Sequence, residues 1–394
     1  MDDENLEQET TCLNHCSERG YDWNEDVGAT LRDFFHDHLL RKTYGRIYEL
    51  PSDKQTCDVS VVIPTFNRSK FLRRALSSVQ AQTMMPAEVL VIDDCSNEAE
   101  ALATERVVEE FSASLNLILL RNSVNRGANY SRNRGISTAK HRYIAFLDSD
   151  DFWMPEKLSR QIEILSQKEE GRAILCVTGR YRVAGESGKI IARQLVRSDF
   201  SRKTIIQSNF IGTLSSVLVD ATLARAVSGF DEALPACQDW EFFIRISQNI
   251  NFLSVSAPLC VYVEHQENRI SASNRNRLRG HLFIKRKYIE SLDEKLDLSA
   301  FYRNVGEELQ LLGRGRMARR IYIKSLTEGI FPAWRGSLAQ AMLHIYYTWR
   351  RMPLLKTARY LSYREKFARL EARVEELSQL RRDQDFIYTA FRRW

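Results

Sequence analysis

Val59-Ser60-Val61-Val62-Ile63-Pro64-Thr65, Val89-Leu90-Val91-Ile92-Asp93-Asp94 and Tyr143-Ile144-Ala145-Phe146-Leu147-Asp148 are short apolar runs that each stop at polar residues. Their length and β-branched content fit buried strands. Pro64 has no N–H to give a ladder, so the first strand is expected to close there. Between the first two runs, Phe71, Leu72, Ala75, Leu76 and Val79 recur at helical spacing. A second helical stretch, about 98–111, leads to a further strand at Leu117-Ile118-Leu119-Leu120. Strands alternating with helices imply parallel βαβ units and an α/β sheet. Ligands of such sheets bind beyond the carboxyl ends of the strands. Thr65, Asn67, Asp93, Asp94, Asp148 and Asp150 all fall there.

Beyond Trp153 the pattern predicts a helix from Pro155 to about Lys168 and strands over 173–183, 215–219 and 252–263. A helix starting near Gln238 carries Trp240, Phe243, Ile244 and Ile246. From about Asn276 onwards the pattern is helical almost throughout. Three regions are therefore expected: an acidic extension over 1–57, partly mobile, an α/β domain over 58–275, and a basic, mainly helical region over 276–394.

The 394 residues carry a net charge of +6, distributed unevenly: −8 over residues 1–58 and +11 over 311–394. A basic tail can meet nucleic acid, an anionic membrane or an acidic substrate, or be a solvated helix face. No apolar run is long enough for a transmembrane helix, and the acidic start does not read as a signal peptide. The seven cysteines are scattered and odd in number, against a secreted disulfide framework. Cys12 and Cys16 flank His15 without a second metal-spaced pair, so packed or exposed thiols are expected there.

Asp148-Ser149-Asp150-Asp151 carries the most specific chemistry. Carboxylates one residue apart in a strand-end turn can converge on Mg2+ or Mn2+, leaving coordination positions for phosphate oxygens. Such an ion neutralises charge on a departing diphosphate. Asp93 and Asp94 could accept hydrogen bonds from a base or ribose, or cap the next helix beside Ser96 and Asn97. In Asn125-Arg126-Gly127 the glycine permits an unusual turn. Arg132 and Arg134 then offer guanidinium groups to phosphate, or form a basic helix face. Asp239 at a helix start reads as a general base or as a charge favoured by the helix dipole. His265 reads as a structural residue, a metal ligand or a diphosphate contact. Arg269 and Ser271 read as phosphate or loop residues.

Together, Val61-Val62-Ile63-Pro64-Thr65-Phe66-Asn67-Arg68, Val91-Ile92-Asp93-Asp94-Cys95-Ser96, Asn125-Arg126-Gly127, Ser131-Arg132-Asn133 and Phe146-Leu147-Asp148-Ser149-Asp150-Asp151 resemble the ordered blocks of family 2 glycosyltransferases. Many members have glycine in place of Cys95. The resemblance spans about 58–270. It implies a GT-A fold, a Rossmann-like, mostly parallel sheet flanked by helices, here with a helical C-terminal extension. It also implies inverting transfer from a nucleoside-diphosphate sugar, UDP-linked, to a hydroxyl of a saccharide or lipid-linked acceptor. On that basis Pro64, Thr65, Asn67, Arg68, Asp93, Asp94, Gly127, Arg132, Asp148, Ser149 and Asp150 hold the donor. Asp150, Asp148 and His265 hold Mn2+ or Mg2+, and Asp239 is the base. Many members have Glu-Asp where this chain has Gln238-Asp239, which points to a variant acceptor site. Tyr262 and His265 resemble a late block that closes over the diphosphate.

The expected location is the cytoplasm, with peripheral contact at the inner face of the cell membrane through the basic region. Within it, 331–355 reads as a core helix or a membrane-surface helix. Tyr363, Phe367, Leu370, Val374 and Leu377 cover only about two heptads, so a helix packed on its own domain is expected. No nucleic-acid partner is expected. A silent nucleotide-sugar or carbohydrate-binding regulator on the same fold is the alternative. A nucleotidyltransferase would need a glycine-rich phosphate loop where Pro64-Thr65-Phe66-Asn67-Arg68 stands.

Overall fold

The computed structural model describes residues 54–336, apart from 166–170, 185–189, 198–199, 249, 265–272 and 293–295, with backbone alone at 190 and 326–336. Cys12, Cys16, His265, Arg269, Ser271, the 363–377 pattern and most of 331–355 lie outside the described residues. The chain divides into two compact units, between Ala272 and Ser273.

The first unit is built on a nine-stranded sheet in the order β3-β2-β1-β4-β8-β6-β9-β5, with β7 on the free side of β6. The strands are β1 (Thr56–Thr65), β2 (Met85–Asp93), β3 (Leu117–Arg121), β4 (Tyr143–Phe146), β5 (Phe152–Trp153), β6 (Ala173–Ala184), β7 (Ile190–Gln194), β8 (Val217–Asp220) and β9 (Ile250–Glu264). The expected parallel strands form the β3-β2-β1-β4 half. Beyond it the sheet is mixed, because β8 runs antiparallel to both β4 and β6, and β6 is again parallel to β9. Val61, Val62, Ile63, Val89, Leu90, Val91 and Ile92 have no exposed surface. Burial on both faces explains why these strands read as continuous apolar runs rather than alternating ones.

Helix α1 (Ser69–Gln80) buries Leu72, Ala75, Leu76 and Val79. In α2 (Glu98–Phe111) the Asn97 side chain accepts a hydrogen bond from Glu100 N and caps the helix. Helix α3 (Ala128–Thr138) crosses β1 and β2 closely. A Cβ on Gly135 would press into the Val62 side chain and lie 3.2 Å from Ile92 Cδ1. Gly135→Ala is expected to cost about 1–3 kcal/mol through overpacking. A denaturant midpoint equal to that of the native chain would show that the helix shifts freely instead.

Pro64 does not close β1. The strand runs on to Thr65, with Pro64 opposite Ile92. Val62 O accepts from Leu147 N, so Pro64, two residues on, presents its nitrogen to that same side. There the ladder with β4 has already ended at Phe146, so the missing N–H leaves no acceptor unpaired. Helix α4 spans Lys157–Ile164, starting two residues after Pro155, with its expected end near Lys168 outside the described residues, and residues 214–216 form a 3-10 turn before β8. Lys157 is fully buried on α4, its ammonium 3.9 Å from the Trp153 ring centroid and 2.8 Å from Gln161 Oε1. Burial lowers its pKa to about 7.

Three shorter helices, α5 (Arg202–Gln207), α6 (Ala221–Ala226) and α7 (Gln238–Ile246), complete the first unit. The second unit is helical. Helix α8 (Asn274–Ile284) continues into a π turn at Lys285–Ile289, followed by α9 (Ser299–Leu311) and α10 (Gly315–Gly336). Phe301, Tyr302, Val305, Leu309, Ala318 and Tyr322 are buried there. The Arg277–Glu308 pair at 2.9 Å ties α8 to α9. No helix among the described residues is long and apolar enough to cross a membrane.

Candidate active site

The polar ends of β1 and β2 are laced into one rim. Asp94 N donates to Thr65 O at 2.9 Å, Asn67 N to Ser96 Oγ at 2.8 Å, and Asn97 N to Asn67 Oδ1 at 2.9 Å. Asn67 and Cys95 both adopt left-handed backbone, with φ of 50° and 64°. That conformation suits the glycine that the family resemblance implies at the Cys95 position. Cys95 Sγ makes only a 3.6 Å contact with Ser123 O. Cys95→Gly is therefore expected to raise stability by about 0.5–1 kcal/mol, the strain removed exceeding the entropy glycine brings. A lowered urea midpoint would contradict this.

Asp93 and Asp94 do different work. Asp93 accepts from Ser96 N at 3.0 Å and from Arg121 Nε at 3.0 Å. Asp94 accepts from Asn122 Nδ2 at 2.7 Å, Arg126 N at 3.1 Å and Gly127 N at 2.7 Å. It thereby shapes the turn in which Gly127, at φ 86°, opens α3. Arg134 Nη1 donates to Arg121 O and Asn122 Oδ1 and braces the same turn. Thr65, by contrast, is buried with its hydroxyl unpartnered at the strand end.

Three carboxylates crowd the turn after β4, and three arginines meet them. Arg132 Nη2 lies 2.6 Å from Asp148 Oδ1, and Arg68 Nη1 lies 2.7 Å from Asp150 Oδ2. Arg74, buried on α1 beside the Phe152 ring, donates to the backbone oxygen of Asp150. Asp151 faces inward, where it accepts from Ser215 Oγ at 2.6 Å and Val263 N at 3.2 Å. Burial, with Asp150 and Asp148 nearby, pushes its pKa up to about 8. The Asp148 side chain is 27% exposed and that of Asp150 10%, whereas Asp151 is fully buried. The turn thus sorts its carboxylates into two that reach the cleft and one that fastens β9. Ser149 is buried between them.

The donor set suits a hard divalent cation. Asp148 and Asp150 offer carboxylate oxygens from one turn, each with one oxygen engaged by an arginine. Among the described residues no group of three or more His, Cys, Asp or Glu forms a cation cage. The fit is therefore to an ion that completes its shell with phosphate and water, as Mg2+ and Mn2+ do.

Asp239 stands in the first turn of α7, half-buried, with Asn209 Nδ2 donating to its Oδ2 at 2.9 Å. Burial raises its pKa, while the Trp240 N–H, Asn209 and the charge of Arg132 act the other way. Asp148 also acts on it electrostatically, which places α7 within range of the 148–151 turn. Helix α3 helps to set that relation. Asn129 Nδ2 donates to Asp231 O at 2.8 Å, and Asn133 Nδ2 to Phe230 O at 2.9 Å, in the loop that leads to α7.

The site brings together Pro64, Thr65, Asn67, Arg68, Asp93, Asp94, Gly127, Arg132, Asp148, Ser149, Asp150 and Asp239. Arg74, Asn122, Asn209 and Ser215 escaped sequence reading, and Asn129 and Asn133 stood within motifs without a role of their own. Only Arg74 left a signal, a cation within the apolar repeat of α1; the others bond across loops distant in sequence.

The ends of the parallel half-sheet thus carry a carboxylate turn and arginines, and the half-buried Asp239 of α7 lies within reach of their charges. Residues 60–222 match the family described as Glycosyl transferase family 2. The chain is 26% identical over 249 residues to an uncharacterized glycosyltransferase of Haemophilus influenzae, covering 62% of this chain and 82% of that one. It is 28% identical over 237 residues to the Escherichia coli UDP-Glc:alpha-D-GlcNAc-diphosphoundecaprenol beta-1,3-glucosyltransferase WfgD, covering 59% and 87%. S. aureus TarS 1-349 in complex with UDP-GlcNAc overlays with a TM-score of 0.49 at 20% identity, over 75% of this chain and 81% of that one.

Proposed function

We propose that the protein transfers a sugar, with inversion, from a UDP-linked donor to a hydroxyl of a saccharide or lipid-linked acceptor. Asp239 takes the proton of the attacking hydroxyl. The new O–C1 bond forms as the bond from C1 to the diphosphate breaks, and the electron pair leaves with the diphosphate. Thr65 and the Asp93–Asp94 rim receive the nucleoside, while Arg68 and Arg132 face the diphosphate. Asp148 and Asp150 would hold Mn2+ or Mg2+, which neutralises the charge gathering on the leaving group. His265 belongs to this ligand set as a proposal from the sequence.

The observation that carries this reading is Asp239 itself. It is half-buried, its pKa is raised toward that of an effective base, and the charges of Arg132 and Asp148 reach it. The WfgD name, with a UDP-sugar donor and a diphosphate-linked acceptor, agrees with the chemistry. Residues 58–275 as the transferase domain, cytoplasmic placement and peripheral membrane contact through the basic region after 276 complete the proposal.

A panel of nucleotide sugars, with and without Mn2+, tests it. One donor is expected to release nucleoside diphosphate in a metal-dependent reaction that a saccharide acceptor accelerates. A folded protein that binds no nucleotide sugar would overturn the reading.

A further inference from the structure

Arg180 and Arg182 share one face of β6 and differ in how their charge is met. Arg182 is neutralised by Glu264, 2.7 Å from its Nε. Among the described residues Arg180 has no ion pair. It donates through Nη1 to the backbone oxygen of Ile211. Its guanidinium passes directly over Gly212, where a Cβ would collide with it, and Gly212 sits at φ 85°. Burial lowers the Arg180 pKa, while the charge of Asp239 is among those that sustain the cation.

The loop beneath Arg180 leads to Asp239. Gly212 N donates to Asn209 Oδ1 at 3.0 Å, and Asn209 Nδ2 donates to Asp239 Oδ2. Across the ladder from Arg180 stands Gln194 on β7, whose Oε1 is buried and has no hydrogen-bond partner. A cation with no ion pair among the described residues and the carboxylate of Asp239 are thus joined through one loop, and the unpartnered amide oxygen of Gln194 stands opposite that cation on β7. A desolvated guanidinium takes its best partner from a carboxylate or phosphate, and a bare amide oxygen takes a hydroxyl. Arg68 and Arg132 already attend the 148–151 turn, whereas Arg180 is linked to the side of Asp239.

We propose that Arg180 makes the acceptor subsite selective for a saccharide bearing an anionic group, phosphoryl or carboxylate, near the reacting hydroxyl. Gln194 receives another hydroxyl of the same sugar. The proposal rests on Asp239 as the base and adds the charge of the acceptor.

Calorimetry on the full chain with UDP and Mn2+ tests it, using glucose 1-phosphate, methyl glucuronide and methyl glucoside as probes. At least one anionic probe is expected to bind about tenfold or more tightly than the neutral glucoside, as charge-assisted hydrogen bonds warrant. The stronger of the two identifies the source of the charge. Arg180→Gln is expected to erase the preference while leaving UDP affinity unchanged, and Arg180→Lys to restore part of it. Equal binding of all three probes, no binding of any, or weakened UDP affinity in Arg180→Gln would overturn the assignment. A thermal midpoint close to native shows that the Gln variant is folded. Failure of the wild type to bind UDP would strike at the proposed function itself; UDP binding without anion preference strikes only at Arg180.

Discussion

Asp239→Asn is expected to lower the transfer rate by roughly 10²–10⁴-fold, the range a positioned general base supplies, without lowering stability. Asparagine keeps the shape of the side chain and one oxygen, which can serve either the Trp240 N–H or Asn209 Nδ2 but not both, and it cannot take a proton. The effect on stability follows from the raised pKa. The unfolded carboxylate ionises near its ordinary value of 3.8, while the folded one holds its proton to higher pH. Its favourable contribution is complete below the ordinary value and is lost as pH rises through the folded value. At neutral pH the native protein carries the cost of a desolvated charge that the amide lacks. The variant should therefore melt at the same temperature as the native chain or higher, with the difference shrinking in acid. The acidic limb of native kcat/KM should also lie above the usual aspartate range. Transfer by the variant at the native rate would remove Asp239 from the mechanism.

Asp150→Ala is expected to cost about 10²–10³-fold in donor turnover, the scale seen when one element of charge stabilisation at a leaving group is removed. Two functions disappear together: an oxygen ligand for the cation, and the partner that holds Arg68 at 2.7 Å. Asp148→Ala should cost less, because Asp148 is the more exposed of the two and Asp150 still supplies an oxygen. The measurement is a Mn2+ titration of donor hydrolysis at fixed nucleotide sugar. The Asp150 variant should need more Mn2+ for half-maximal rate and reach a lower plateau. Native kcat/KM at every Mn2+ concentration would show that the turn serves only the fold.

How much of this was legible in the sequence depended on the range of the interactions. The β2-β1-β4 part was readable because both of its faces are buried, so Val61–Ile63, Val89–Ile92 and Tyr143–Phe146 are apolar runs that lead to candidate site residues; β3 is half-buried and was readable from its apolar run alone. The other half was less readable. β5 has two residues, β7 lies at an edge, and the parallel pairing of β6 with β9 joins segments far apart in the chain. Pro64 misled for a local reason: its missing N–H matters only where a neighbour needs it, and β4 ends before that point. Among the site residues, the carboxylates announced themselves at strand ends. Asp94 was readable as a nucleotide contact or a helix cap, whereas its bonds to Arg126 N and Gly127 N, more than thirty residues on, were not. Asn209 and Ser215 were invisible, since a polar side chain in a loop gains its role from the partner the fold brings to it.

Helix α3 has one further consequence, for the order in which substrates arrive. One of its residues, Arg132, reaches the 148–151 turn proposed to face the donor diphosphate, and two others, Asn129 and Asn133, grip the loop leading to Asp239, the proposed base. A diphosphate that draws Arg132 toward itself pulls on the same rigid rod that sets Asp239. The acceptor then finds its half of the cleft finished only after the donor has settled. Steady-state kinetics should accordingly follow a compulsory sequence, donor first and nucleoside diphosphate released last. UDP should compete with the donor and act as a noncompetitive inhibitor toward the acceptor.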